Sequence, residues 1–131
     1  MNQNKLAIVI PAYKSLFLDE TLQSLAKQSC QDFTVYIGDD NSPNNLQVIV
    51  EKYIGQMDIV YHRFSENLGG TSLIKQWTRC VELINNEEFF CLFSDDDIMS
   101  PDCVNCFYET LRGEAKNYDV YHFDIEIVDI E

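Results

Sequence analysis

Short apolar runs alternate along this chain with longer stretches whose apolar residues recur at helical spacing. Lys5–Ile10, apolar after its first residue and ending at Pro11, predicts a buried strand. Leu18, Leu22 and Leu25 then mark a helix over residues 18–29. Phe33–Ile37, closed by Gly38, predicts a second strand. Ser42-Pro43 offers a capping residue followed by proline at a first helical position. Leu46, Ile49, Val50, Tyr53 and Ile54 continue as one face of a helix over 44–54. Asp58–Arg63 predicts a third strand, Asn67-Leu68-Gly69-Gly70 a loop, and Leu73, Trp77, Val81 and Ile84 a third helix. Phe89–Phe93 is apolar at every position, which predicts a fourth strand covered on both faces. Ser100-Pro101 repeats the capping signal, and Val104, Phe107, Tyr108 and Leu111 carry a fourth helix. Tyr118–Ile127 alternates imperfectly and predicts a last extended segment.

Strands alternating with helices imply an α/β three-layer sandwich with a mainly parallel sheet. In such sheets ligands bind outside the carboxyl ends of the strands, where the strand order reverses. Three polar clusters follow predicted strands: Pro11-Ala12-Tyr13, Asp39-Asp40-Asn41-Ser42 and Ser94-Asp95-Asp96-Asp97. They are distant in sequence, yet this topology brings all three to one sheet edge.

Composition narrows the ligand. The 131 residues suit one domain, and 46% hydrophobic with 24% charged is the balance of a water-soluble globular chain. A net charge of −13 disfavours nucleic acid and anionic membrane surfaces as partners. It also means that an anionic ligand needs help, and a divalent cation is the usual help. No apolar run is long enough for a membrane span. Five cysteines without a framework of spacings predict reduced thiols and a cytoplasmic setting. Cys103-Val104-Asn105-Cys106 fits two helix residues three apart better than a metal or redox pair, since no second pair accompanies it. His62 and His122, with no paired ligand spacing, are expected to be structural.

Three consecutive carboxylates, Asp95, Asp96 and Asp97, repel one another unless something positive sits among them. Mg2+ or Mn2+ relieves that repulsion with oxygen ligands, taking one or two carboxylates together with substrate phosphates. The competing explanation is an acidic approach to the helix that starts near Ser100, where acids favour the dipole.

These segments together resemble glycosyltransferase family 2 of the GT-A fold. Ile8-Val9-Ile10-Pro11-Ala12-Tyr13 is similar to its opening strand. Leu22-x-x-Leu25-x-x-Gln28 and Asp32-Phe33-x-Val35-x-Ile37-Gly38-Asp39-Asp40-x-Ser42 continue it in register. Asn67-Leu68-Gly69 matches the family's N-x-G, and Phe93-Ser94-Asp95-Asp96-Asp97 followed by Pro101 matches its D-x-D region. The resemblance implies that Pro11, Ala12 and Tyr13 line a nucleobase and ribose pocket. It implies that Asp39 accepts hydrogen bonds from the base, that Asp40 orients the loop or touches the ribose, and that Asn67 and Gly69 shape the wall beside the nucleotide. Aligned on Pro101, the first acid of D-x-D falls on Ser94, which cannot replace a carboxylate. The pair is then Ser94 with Asp96, or Asp95 with Asp97. Asp96 is favoured as the metal ligand, with Asp95 as the ribose or second contact and Asp97 either supporting the metal ligand from behind or partnering the metal. In the third helix Ile74-Lys75 stand where many members have Arg-Asn; Lys75 or Arg79 could meet phosphate, though a solvated face is the plainer expectation.

The implied reaction is transfer from a nucleoside diphosphate sugar, a UDP-sugar favoured, to a saccharide or lipid-linked acceptor, as in cell-envelope polysaccharide synthesis. The resemblance places the general base beyond Glu131, so the expectation is a donor-binding portion, incomplete at its C-terminus and working in the cytoplasm or at the inner membrane face. Asp124, Glu126, Asp129 and Glu131 are explained more simply by strand alternation and a polar tail. Two alternatives stand beside this: a module that binds nucleotide sugar without transferring it, and a receiver-type signalling domain. The receiver requires an acidic pair after the first strand, where this chain has Pro11-Ala12-Tyr13.

Overall fold

The computed structural model describes residues 4–113 and 118–127. Eight elements alternate: β1 (Leu6–Ala12), α1 (Leu18–Ala26), β2 (Phe33–Asp39), α2 (Leu46–Glu51), β3 (Asp58–Arg63), α3 (Leu73–Val81), β4 (Phe89–Leu92) and α4 (Cys103–Arg112). The strands form one parallel sheet in the order β3-β2-β1-β4. β1 and β2 are in register from Leu6 opposite Phe33 to Ala12 opposite Asp39. The chain builds outwards from β1 through β2 to β3, then crosses back to place β4 on the other side of β1. The strand order therefore reverses between β1 and β4.

Strand alternation sends Leu6, Ile8, Ile10, Phe33, Val35 and Ile37 to one face. There they meet Leu18, Leu22 and Leu25 of α1, Leu46 and Val50 of α2, and Val104 and Phe107 of α4. Each such side chain, fully buried, contributes roughly 1.5–3 kcal/mol. The opposite face is smaller: Ala7, Val9 and Tyr36 pack with Cys80 of α3. Gly38 makes that contact possible, because a Cβ there would lie 2.3 Å from the Cys80 sulfur. Burial pushes the Cys80 thiol up to about 12.

Several sequence expectations are corrected. The fourth strand is not covered on both faces: Phe90 and Leu92 are 53% and 43% exposed. They share a face with Ala7 and Val9, and the helix on that face, α3, packs over β1 and β2. Residues 118–127 form no strand. Their alternation is spent on two side chains: Tyr121 and Phe123 pack against the main core, with Tyr121 edge-on to Phe89 and Phe107. Asp129 and Glu131 lie outside the described residues. The capping signals were also misplaced. α2 begins after Asn45 and α4 after Asp102, neither with a side-chain cap bond. Ser42 instead donates to the Tyr13 carbonyl at 2.5 Å and ties the β2 loop to the β1 loop. Finally, α3 buries Gln76 and Cys80, while Leu73 and Trp77 of its apolar stripe are 57% and 42% exposed. Cys103 and Cys106 lie three residues apart on α4, the helical placement that the spacing suggested.

Candidate functional site: the cleft between the first and fourth strands

A cavity of about 440 Å³ opens at the carboxyl edge of the sheet, beside the reversal of strand order. That is the size range of small-molecule sites, roughly 300–1,000 Å³. The loop after β1 supplies Pro11, Ala12, Tyr13 and Lys14. Ser94, Asp95 and Asp96 come from the loop after β4, Asp40 from the end of β2, and Asn67, Gly69 and Gly70 from the loop before α3. Leu73, Gln76 and Trp77 of α3 complete the wall.

The acids after β4 are held in place from below. Gln28, buried at the end of α1, donates to the Ser100 carbonyl at 2.6 Å and accepts from the Val104 amide at 3.1 Å. The Ser29 amide adds a bond to the Pro101 carbonyl at 2.8 Å. These bonds moor the segment that follows the aspartates to the first helix. Asp95 then crosses the strand reversal: its Oδ2 accepts from the Tyr13 and Lys14 amides, both at 2.9 Å. Asp97 turns back on its own loop and accepts from the Ser94 amide at 3.3 Å. It is exposed and does not line the cavity. Asp96 is exposed at the rim, and among the described residues no protein donor reaches it.

The two acids after β2 point in opposite directions. Asp39 has no exposed surface and does not line the cavity. Its Oδ1 accepts from the Ser42 amide at 2.9 Å, closing a turn in which Asn41 takes the left-handed conformation, φ 52°. Its Oδ2 accepts from the Tyr61 hydroxyl at 2.5 Å and lies 3.6 Å from Arg63. Burial, then the Asp39 hydrogen bond, push the Tyr61 phenol upward. Asp40 is the acid that faces the cavity. It accepts from the Leu68 amide at 2.7 Å, the Gly69 amide at 2.9 Å, the Asn67 amide group at 3.0 Å and Arg79 at 2.7 Å.

Of the residues singled out in the sequence, the structure thus gathers Pro11, Ala12, Tyr13, Asp40, Asn67, Gly69, Asp95 and Asp96 around one space and leaves Asp39 and Asp97 outside it. Leu73, Gln76 and Trp77 were missed as wall residues. The signal for Leu73 and Trp77 was the stripe itself, because apolar residues on a helix can face a cavity as well as a core; polar Gln76 gave no such signal. Arg79 is neither solvated nor open to phosphate, since its side chain is 16% exposed and committed to Asp40. Lys75 is exposed and outside the lining. His62 stacks edge-on with Phe64 at 4.6 Å, a structural use.

Whether this edge could hold a divalent cation turns on Asp96 and Asp95. Among the described residues no group of three or more metal-binding side chains is assembled. A carboxylate without a protein donor at the rim, beside one bound through a single oxygen, nevertheless suits Mg2+ or Mn2+ if substrate phosphates supply the remaining oxygens.

Comparison with known proteins gives this arrangement a context. The family model for glycosyl transferase family 2 matches residues 7–129. The poly(ribitol-phosphate) beta-N-acetylglucosaminyltransferase TarS of Staphylococcus aureus strain Mu50 is 33% identical over 127 residues, 95% of this chain and 20% of TarS. The glycosyltransferase GlyG of Streptococcus pneumoniae serotype 4 is 25% identical over 123 residues, 87% of this chain and 40% of GlyG. The crystal structures of S. aureus TarS 1-349 with UDP and with UDP-GlcNAc each superpose with a TM-score of 0.74 at 26% identity. They cover 82% of this chain, and 32% and 31% of those chains. The chain therefore spans about a fifth of the length of TarS and two fifths of GlyG. The expected α/β architecture of the GT-A type holds, and the receiver-type alternative falls. With the motifs in order, the cleft at the strand reversal and a family match over nearly its whole length, the chain belongs to glycosyl transferase family 2.

Proposed function

We propose that this chain is the donor-binding domain of a glycosyltransferase, and that its cavity receives a nucleoside diphosphate sugar for transfer to an acceptor hydroxyl. The observation that carries the reading is the cavity itself. It opens at the strand reversal, with apolar and aromatic walls from Pro11, Ala12, Tyr13 and Trp77 and a carboxylate rim at Asp95 and Asp96. The relatives support a UDP-sugar: TarS is named an N-acetylglucosaminyltransferase and was crystallised with UDP and with UDP-GlcNAc. A saccharide or lipid-linked acceptor of the cell envelope, met in the cytoplasm, fits the same reading.

The residues divide the work by position. Pro11, Ala12 and Tyr13 form the side against which base and ribose lie. Asp40, Asn67 and Gly69 form the facing wall, where Asp40 and not the buried Asp39 lines the cavity. Asp96, with Asp95 or Asp97, would hold Mg2+ or Mn2+ against the diphosphate, where the cation offsets charge developing on the leaving group. Asp95 sets the width of the cleft by tying the β1 loop to the β4 loop. An acceptor hydroxyl also needs a carboxylate base within hydrogen-bond reach. Asp40 is saturated and Asp95 is a clamp, so neither is assigned that role. That same commitment favours a second reading, in which the chain holds the nucleotide sugar without transferring it.

Titrating UDP with and without Mn2+ tests the proposal. Metal-dependent binding that is lost on Asp96→Ala is expected; binding indifferent to both the metal and Asp96 would remove the metal assignment. Turnover of a UDP-sugar separates transfer from binding alone.

A further inference from the structure

We infer that Arg79 is the positioning residue of this cavity, acting through Asp40 to hold the Asn67–Gly70 wall in its binding shape. The inference rests on the proposed nucleotide site and adds to it a residue that touches no ligand.

The argument starts from the Asp40 carboxylate, whose side chain is 5% exposed. A buried carboxylate is tolerated only if it is paired and hydrogen-bonded. Here Oδ1 accepts from the Leu68 amide and from Arg79 Nη2, both at 2.7 Å. Oδ2 accepts from Asn67 Nδ2 at 3.0 Å and the Gly69 amide at 2.9 Å. A carboxylate offers about four lone-pair sites, so Asp40 is fully used. Three of the four donors belong to the cavity wall, and the fourth, Arg79, is the only charged one. Gly69 sits so close that a Cβ there would lie 2.5 Å from Asp40 Oδ2. The position of the wall is therefore the position of this carboxylate.

Arg79 is itself fixed on every side. Its Nε donates to Gln76 Oε1 at 2.6 Å, and its Nη2 also donates to the Glu66 carbonyl at 2.8 Å. Its guanidinium lies 3.9 Å from the centre of the Phe64 ring. Gln76 is anchored in turn on the Gly38 carbonyl at 3.2 Å. Arg79 is not a lining residue of the cavity, so any influence on a ligand passes through the lining residues it holds, Asp40 above all and Gln76 beside it. A lysine supplies the charge but not the planar fork that stacks and donates in several directions at once.

The test uses the full chain with Arg79→Met, Arg79→Gln, Arg79→Lys, Asp40→Asn and the Arg79→Met/Asp40→Asn double variant. Two readouts are taken on each variant shown to be folded by circular dichroism. The first, without nucleotide, is amide hydrogen exchange at Leu68 and Gly69. Losing Arg79 should accelerate it about tenfold or more while β1 amides keep their protection. The second is UDP affinity, which should fall about tenfold in Arg79→Met or Arg79→Gln and be partly restored in Arg79→Lys. The double variant should lose less affinity than the sum of the two single losses, because both changes break the Arg79–Asp40 pair. Unchanged exchange and affinity in a folded Arg79 variant, or losses that simply add, would overturn the positioning role. A wild-type chain that binds no UDP overturns the nucleotide reading instead, and the exchange measurement still decides whether Arg79 holds the wall.

Discussion

Two acidic regions face the same sheet edge, and they are built in opposite ways. After β2, Asp39 and Asp40 are buried and meet backbone amides, a tyrosine hydroxyl and two arginines. After β4, Asp95 engages two backbone amides, Asp97 closes its own turn, and Asp96 stands at the rim with no donor among the described residues. Buried charge has to be satisfied by the protein, whereas exposed charge can be left for a ligand. The contrast supports the proposal that the β2 acids shape the cavity and the β4 rim meets what enters it.

Breaking the shaping acids should have the largest effect on stability. Asp40→Ala strands Arg79 and two amides around an empty site and is expected to cost about 3–5 kcal/mol, read from urea unfolding. Asp96→Ala should change stability by less than about 0.5 kcal/mol in the same assay while abolishing metal-dependent UDP binding. Equal destabilisation by the two substitutions would erase the distinction between the regions. Gly69→Ala should fall between them, at about 1–3 kcal/mol, because its Cβ collides with a carboxylate that cannot move aside.

Strand parity carries much of this contrast. Val35 and Ile37 face the larger core, so Asp39 continues that face inwards; Gly38 and then Asp40 continue the face under α3, where the cavity lies. The order of strands and helices, the convergence of three clusters and most of the lining followed from period and turn chemistry. What did not follow depended on neighbours. A run such as Phe89–Phe93 carries no sign that α3 stops short of covering it. Nor does Arg79 announce that Phe64 and Gln76, brought close by Gly38, will hold it against Asp40.

The smallest expected effect concerns the far end of the sheet and acts as a control. Burial would raise the Glu87 carboxyl, but hydrogen bonds from Tyr36 and Thr34 outweigh it and hold it below its ordinary value. A carboxyl depressed in the folded state contributes stability above its unfolded value, and that contribution is lost as pH falls through the folded one. Glu87→Gln should therefore flatten the acid limb of the stability profile by a few tenths of a kcal/mol, because the group is partly exposed. UDP affinity near neutral pH should not change.

The most direct test of the whole account is a crystal structure of this chain grown with UDP and Mn2+, with the metal located by its anomalous signal. The account predicts manganese bound by Asp96 and the diphosphate, the uridine between the Pro11–Tyr13 loop and the Asn67–Gly70 wall, and Asp40 still paired with Arg79. Manganese or nucleotide anywhere else, or Asp39 drawn out of its buried pairing to meet the base, would contradict it.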